Sequence, residues 1–350
     1  MTCAAPSSVS QTLSYVREGV LMHSSWKRWR LALVAVLTAL AMSVAFAGEA
    51  FAAEPGEWGD WAQEDVGNQA LAARGTVTEA RNNGNLLQVW RGETNNIVWL
   101  SMNNGNAFQF TNPDGTSTAT YFSPAVVPYG TNSFMVFHTG TDGRIYYAQV
   151  NSDGSWPNYW STVGWGQSTN MAVSVTQVGA GSTQLYLMYH SSNDDRVLGT
   201  LWNGFYWSAG QTIPGVQSPA APSVTFNSHS GLWAVVRGEN DQIWMANSFT
   251  GTGNNWGSWT QQGGGNTYNS PTVAASGTGQ MLVSYVDENS YRPNYRAYGA
   301  SGNPLSDWSQ DITGWQTINS VGLSVIGASV YVILTALNGY VYYKQGYSPS

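Results

Sequence analysis

The chain is predicted to be all-β: a six-bladed β-propeller with four antiparallel strands per blade, its last blade closed by an outer strand from the N-terminal side. Three ladders of residues carry this expectation. Trp61, Phe110, Trp160, Trp207, Trp259 and Trp308 recur 49, 50, 47, 52 and 49 residues apart. Val77, Val126, Val173, Val224, Val273 and Leu323 form a second ladder, each inside a short apolar run. Ile97, Ile145, Val197, Ile243, Pro293 and Val341 form the third, in which Pro293 fits poorly and its segment Asn289-Ser-Tyr-Arg-Pro-Asn-Tyr295 is expected to be bulged or distorted. Self-similarity at a period near 50 residues marks a repeat architecture in which each unit is one supersecondary element.

Each period reads as four short strands. In the fourth, Ser223-Val-Thr-Phe226 and Leu232-Trp-Ala-Val-Val236 lead to the turn Gly238-Glu-Asn-Asp241. Gln242-Ile-Trp-Met-Ala246 and Gly257-Ser-Trp-Thr-Gln261 complete the unit. Asp142-Gly143 in the second repeat sits between apolar runs, and both residues tolerate the positive φ of a tight hairpin. No capped, 3.6-periodic stretch follows residue 60, so no helix is expected there. The repeats fall near 76–123, 124–170, 171–221, 222–270, 271–320 and 321–350. The last reaches Ser350 without a Trp strand, whereas residues 57–65 supply one, Trp58-Gly-Asp-Trp61, ahead of the first inner strand. A ring closed in this way leaves no free sheet edge between first and last blade.

Residues 1–52 are read as an N-terminal extension and secretory signal peptide. Lys27-Arg-Trp-Arg30 is a basic flank, Leu31 to Phe46 an apolar run, and Ala50-Phe-Ala52 a small-x-small cleavage signal. The apolar run is short of the ~20 residues of a membrane span. Residues 53–350 are therefore expected to form a single secreted domain, with no membrane association once the signal is cleaved near Ala52. Translation from Met22 is an alternative start. The one cysteine, Cys3, lies in the removed segment, so packing and not disulfides must hold the domain. The formal net charge is −7, and Lys344 is the one lysine after residue 27, which argues against nucleic-acid partners. Abundant Trp, Tyr, Gly, Asn, Ser and Thr suit strands and turns, and also a neutral, hydroxyl-rich ligand.

A glycosidase built on this fold needs two carboxylates converging near the innermost strands. Only the first of the six inner segments holds an acid, Glu79. No Gly-x-Ser-x-Gly elbow occurs. His138, His190 and His229 are not at metal-ligand spacing. Asn193-Asp-Asp195 and Asp287-Glu-Asn289 match no Ca²⁺ loop. No catalysis, metal or cofactor is therefore expected. His138 and His190 fall at equivalent positions of neighbouring repeats and are candidates to line one groove.

Aromatic positions are the remaining chemistry. Residues three apart on a strand cannot share a face. One ring of Trp58/Trp61 and of Trp256/Trp259 is therefore expected between blades and the other in a groove, where a sugar's C–H face can stack on it. Candidate platforms are Trp58, Trp156, Trp202 and Trp256, with Arg91, Arg237, His138 and His190 as polar partners. The pattern of apolar strand, Arg91-Gly-Glu93 or Arg237-Gly-Glu239, Ile-Trp/Tyr and then Trp-x-x-Trp resembles the repeat of the bacterial fucose-binding β-propeller lectins. The resemblance runs over the whole mature chain. It implies glycans or glycoconjugates as partners, bound in clefts between blades, the most intact of them flanking the first and fourth repeats. It also implies the family's usual seven blades, where this chain has residues for six. The alternatives are a secreted glycan-active hydrolase, with Glu79, Glu93 and Glu239 as first suspects, and a protein-binding scaffold.

Overall fold

In a computed structural model, the structure describes residues 60–164, 166–311, 313–326 and 329–347. Trp58 and the start of the expected closing segment lie outside the described residues. The chain enters through β1 (Ala62–Gln63) and a small hairpin, β2 (Asp65–Val66) and β3 (Gln69–Ala70). Blade 1 follows as β4 (Thr78–Asn82), β5 (Asn85–Arg91), β6 (Val98–Met102) and β7 (Ala107–Gln109). Blade 2 is β8 (Ala125–Tyr129), β9 (Ser133–Thr139), β10 (Ile145–Asn151) and β11 (Ser161–Thr162). Blade 3 is β12 (Ser174–Gln177), β13 (Leu185–His190), β14 (Arg196–Trp202) and β15 (Gln211–Gln217). Blade 4 is β16 (Ser223–Asn227), β17 (Gly231–Arg237), β18 (Ile243–Ser248) and β19 (Thr260–Gln261). Blade 5 is β20 (Thr272–Ala275), β21 (Met281–Val286), β22 (Pro293–Tyr298) and β23 (Ser309–Gln310). Blade 6 contributes β24 (Gly322–Ile326), β25 (Ser329–Thr335) and β26 (Val341–Tyr347). Its fourth strand is β1, paired antiparallel to β26 as Ala62↔Tyr343 and Gln63↔Tyr342. The ring therefore closes through an N-terminal outer strand.

The six first strands touch in circular order around the axis. Their inward edges would leave backbone groups unpaired, and hydroxyls of the neighbouring blade satisfy them. Ser174 and Thr176 accept from the amides of Val224 and Phe226, and Ser223 and Thr225 from Val273 and Ala275. Thr78 Oγ1 donates to Pro124 O and Thr76 Oγ1 to Ser320 O, each at about 2.8–2.9 Å. Buried polar groups must find partners, which is why these strands are rich in Ser and Thr rather than wholly aliphatic.

Six apolar clusters fill the six seams between blades. The Trp-ladder rings sit in them. Trp160 lies against Phe110 of blade 1 at 5.0 Å between centroids, and Trp259 donates its indole N–H to Pro214 O of blade 3 at 3.0 Å. Each buried aromatic contributes about 1.5–3 kcal/mol by removal from water. Pro293 itself opens β22 in regular register with Val286, and the first residue of a strand is a position where proline is tolerated. The distortion expected of its segment falls just before it, where Tyr291 takes a φ of +56°, uncommon for a bulky residue. Blade 3 carries a further irregularity, where β14 shifts register between Arg196 and Leu198. One expectation needs correction, that for the tryptophan pairs. Trp256 and Trp259 both belong to the seam between blades 3 and 4 and lie parallel at 6.4 Å. Alternation fails because β19 begins only at Thr260, so the two rings do not share a continuous strand.

Candidate functional site

The turn after the second strand of each blade places the motif residues. Its last strand position holds Arg91, Thr139, Arg237 and Thr335 in blades 1, 2, 4 and 6, and each of these side chains reaches the entry loop of the next blade. Arg91 donates to Tyr121 O and, through Nε, to Arg74 O at 3.0 Å. Arg237 donates to Tyr268 O at 2.7 Å and Pro219 O at 3.1 Å. Thr139 Oγ1 reaches Met171 O at 2.7 Å, and Thr335 Oγ1 reaches Gly75 O at 2.6 Å. Arginine and threonine thus do one job here: each staples a blade to its neighbour's entry loop.

The glycine that follows the arginine has a steric cause. A Cβ on Gly238 would meet Trp244 Nε1 at 2.6 Å, and one on Gly92 would meet Trp99 Nε1 at 2.9 Å. Without it the third-strand ring folds over the turn and meets its side chain. Trp244 Nε1 donates to Asn240 Oδ1 at 3.2 Å, and Tyr146 OH to Asp142 Oδ2 at 2.8 Å. Asn338 Nδ2 donates to Tyr342 OH at 3.0 Å.

Between the closing hairpin and blade 1 this packing leaves a lateral cleft of about 260 Å³. Trp90 and Trp99 form its floor, and Gln69, Ala72, Glu93 and Asn95 its rim. Trp90 is buried, Trp99 half-buried, and Glu93 and Asn95 exposed. The Glu93 carboxylate lies against Gly339 of blade 6. Tyr340, bridged to Ala72, exposes its ring nearby. An indole, a carboxylate and an amide therefore converge at a seam flanking the first repeat. Blade 4 repeats the set as Trp244, Glu239 and Asn240, with Arg237 3.7 Å from Asp241.

The other sequence candidates lie elsewhere. His138 and His190 are each 3% exposed and share no groove. His138 is stacked on Tyr146 at 5.3 Å and edge-on to Trp160 at 4.4 Å, and neither ring nitrogen has a hydrogen-bond partner. Burial pushes its pKa down to about 4, which keeps it neutral. His190 is held by Asn170 at 3.0 Å and Asp195 at 3.2 Å. Trp156 packs on Phe110 and Trp160, and Trp202 on Tyr147 and Trp207. Trp256 sits beside Tyr186. All three are half-buried in seams, and none of them lines the lateral cleft. Trp99, Asn95 and their blade-4 counterparts were missed because they read as ordinary third-strand and turn residues. Among the described residues, no group of three or more His, Cys, Asp or Glu side chains is placed to hold a metal ion.

Among the described residues, Glu79 is the one carboxylate along the axial cavity. It turns into the seam between blades 6 and 1, toward Ser324, Gln88, Glu64 and Arg81. Desolvation raises its pKa and that of Glu64, and the Glu64 charge adds to the rise at Glu79.

No protein-family model matches the chain, and no curated protein matches it. Solved structures do. A mutant of the Aleuria aurantia lectin in complex with α-methyl-L-fucoside superposes with a TM-score of 0.58 at 14% identity, over 79% of this chain and 92% of that one. The fold is that of the six-bladed lectin propellers. The Aleuria aurantia protein is itself described as a fungal lectin of six-bladed β-propeller fold with fucose recognition, so the six blades expected of this chain are no departure from these neighbours. SapL1 lectin in complex with α-methyl fucoside gives a TM-score of 0.53 at 13% identity, over 80% of this chain and 98% of that one. NanB with Optactamide gives 0.56 at 7%, over 81% and 69%.

Proposed function

We propose that this chain is a secreted, non-catalytic carbohydrate-binding propeller that takes neutral glycans in clefts between blades. The observation that carries the reading is the lateral cleft, where the Trp99 ring stands beside the Glu93 carboxylate and the Asn95 amide. A ring offers a flat apolar face to sugar C–H groups, and the carboxylate and amide accept and donate to hydroxyls. The fucose-binding lectins among the structural neighbours support the same ligand class and make fucosides the first probes. Two such sets lie three blades apart, so one chain can engage two branches of a glycoconjugate, and avidity raises the apparent affinity.

A glycan array with the mature protein tests the reading. Binding of neutral, fucose-bearing glycans is expected, weakened tenfold or more by Trp99→Ala and by Glu93→Gln. Absence of binding to every glycan would overturn it in favour of the scaffold alternative. Hydrolysis of a bound glycan, lost in Glu79→Gln or Glu93→Gln, would establish the hydrolase instead.

A further inference from the structure

We propose that the axial cavity is a second carbohydrate site, which takes one residue of a neutral glycan at its mouth independently of the lateral clefts. The cavity encloses about 450 Å³, within the roughly 300–1,000 Å³ of ligand-binding pockets. Its mouth is built by the loops that enter each blade. On one side, two neighbouring blades repeat a short segment, Tyr268-Asn-Ser-Pro271 and Ile318-Asn-Ser-Val321. In both, a buried threonine one position earlier pins the loop. Thr267 Oγ1 accepts from the Asn269 amide at 3.1 Å, and Thr317 Oγ1 from the Asn319 amide at 3.0 Å. That fixes the backbone and leaves the Asn269 and Asn319 side chains at the wall. Neither amide group makes a hydrogen bond to protein among the described residues, and Thr272 Oγ1, just below, is buried and unpartnered.

Free amides and a hydroxyl in a concavity call for a ligand that both donates and accepts. The rim calls for one with an apolar face: Tyr268 is 64% exposed, Ile318 62%, and Tyr121, three blades from Tyr268 across the mouth, 56%. The two charged residues of the cavity wall are already committed. Arg91 spends its guanidinium on backbone carbonyls, and Glu79 turns into a seam. The ligand is therefore uncharged. A hydroxylated ring with one C–H face, the terminal residue of a neutral glycan, meets all three conditions. The ladder that shapes this mouth is the most regular in the chain: Thr120, Thr169, Ser218, Thr267 and Thr317 recur at 49, 49, 49 and 50 residues.

The test uses the mature protein, with methyl α-L-fucoside and methyl β-D-glucoside as probes in calorimetric titration. A Trp99→Ala, Trp244→Ala variant, which lacks the ring of the lateral cleft and that of the blade-4 set, is expected to retain one site per chain for at least one probe. Adding Asn269→Leu and Asn319→Leu is expected to weaken that site tenfold or more without lowering the unfolding temperature. No residual site in the cleft variant, or full binding after both asparagine changes, would overturn the proposal. Should the cleft variant fail to fold, the asparagine changes alone decide: one site fewer per chain supports the axial site, and unchanged stoichiometry sinks it. The two readings separate because loss of the lateral clefts shows in the Trp99→Ala variant, whereas loss of the axial site shows only in the asparagine variants.

Discussion

At the residue scale, one small contact explains why the Arg-Gly pair stands out in this sequence. The arginine staples neighbouring blades, and the glycine lets an indole lie on the turn. These are packing demands, yet they also fix the ring and amide that give the cleft its sugar platform. Gly238→Ala tests the link. Its Cβ would meet Trp244 Nε1 at 2.6 Å and Cδ1 at 2.8 Å, closer than real contacts. The indole must leave the turn and give up Asn240. Overpacking of this kind costs about 1–3 kcal/mol, to be read as a lower denaturation midpoint, and glycan binding at the blade-4 set should fall with it. Unchanged stability would show that the ring is not held by the turn. The glycines were legible in the sequence. Their cause was not, because the clash involves a ring on the next strand and hydropathy patterns carry no trace of it.

At the element scale, the seam between blades 6 and 1 differs from the other five. Beside its rings and aliphatic side chains it buries Glu64 and Gln88 and turns Glu79 inward, whereas Asp311, the acid buried between blades 5 and 6, is paired with Lys344. Gln88 Nε2 donates to Glu64 Oε1 at 2.8 Å, and Asn104 Nδ2 donates to the same oxygen at 3.2 Å. The Oε1 atoms of Glu79 and Gln88 are both buried without a donor. Glu79 and Gln88 are neighbours in this seam, and a proton on the Glu79 carboxyl would supply a donor there. The other charged groups of the seam are Asp65, which raises the Glu64 pKa, and Arg81, which lowers those of Glu64 and Glu79. Desolvation wins and raises both. A carboxyl raised on folding takes its proton first in the folded chain, so stability is greatest below the ordinary carboxylate pKa and declines as pH rises through the raised value. Glu79→Gln supplies the missing donor at every pH. It should stabilise the protein at neutral pH by on the order of 1 kcal/mol and flatten this decline, while leaving the acidic end little changed. Thermal unfolding from pH 4 to 8 measures it, and a variant less stable than the parent at pH 7 would refute the shared-proton account. Glu79 was visible in the sequence as the lone acid of an inner strand. That it faces a seam and not the axis depends on Ser324 and Glu64, which lie far from it in the chain.

At the scale of the whole molecule, the blade count and the closing strand were legible because they follow from phase: a repeat that lacks its fourth strand at one end and carries a spare at the other. The placement of the tryptophans was less so. Alternation presumes a continuous strand, and the outer strands β11, β19 and β23 have two residues each. The regular hydroxyl ladder at the cavity mouth went unread because a buried threonine in a loop has no hydropathic mark. The closing strand itself is short, since β1 pairs with β26 over two residues, and backbone bonds joining Glu64 and Leu71 to Val341 and Ala73 to Gly339 extend the junction. Its anchor is a buried polar triad. Trp61 Nε1 donates to Asp311 Oδ2 at 3.0 Å, Lys344 Nζ reaches the same oxygen at 3.3 Å, and the ammonium lies 5.6 Å from the Trp61 ring centroid. Asp311 thereby ties blade 5, the last strand and the incoming chain together. Its side chain is fully buried and that of Lys344 is 5% exposed, so removing the acid breaks a buried ion pair and costs about 3–5 kcal/mol. Asp311→Ala should therefore unfold at markedly lower denaturant. Because the triad holds the strand that closes the ring, limited proteolysis should cut between residues 60 and 70 before the blades are attacked. Lys344→Met in the same background should recover part of the loss, since it removes the buried charge whose acid is gone and keeps the apolar stem against Trp61. A midpoint within experimental error of the parent, with no early cleavage near the N-terminal strand, would show that closure does not depend on this triad.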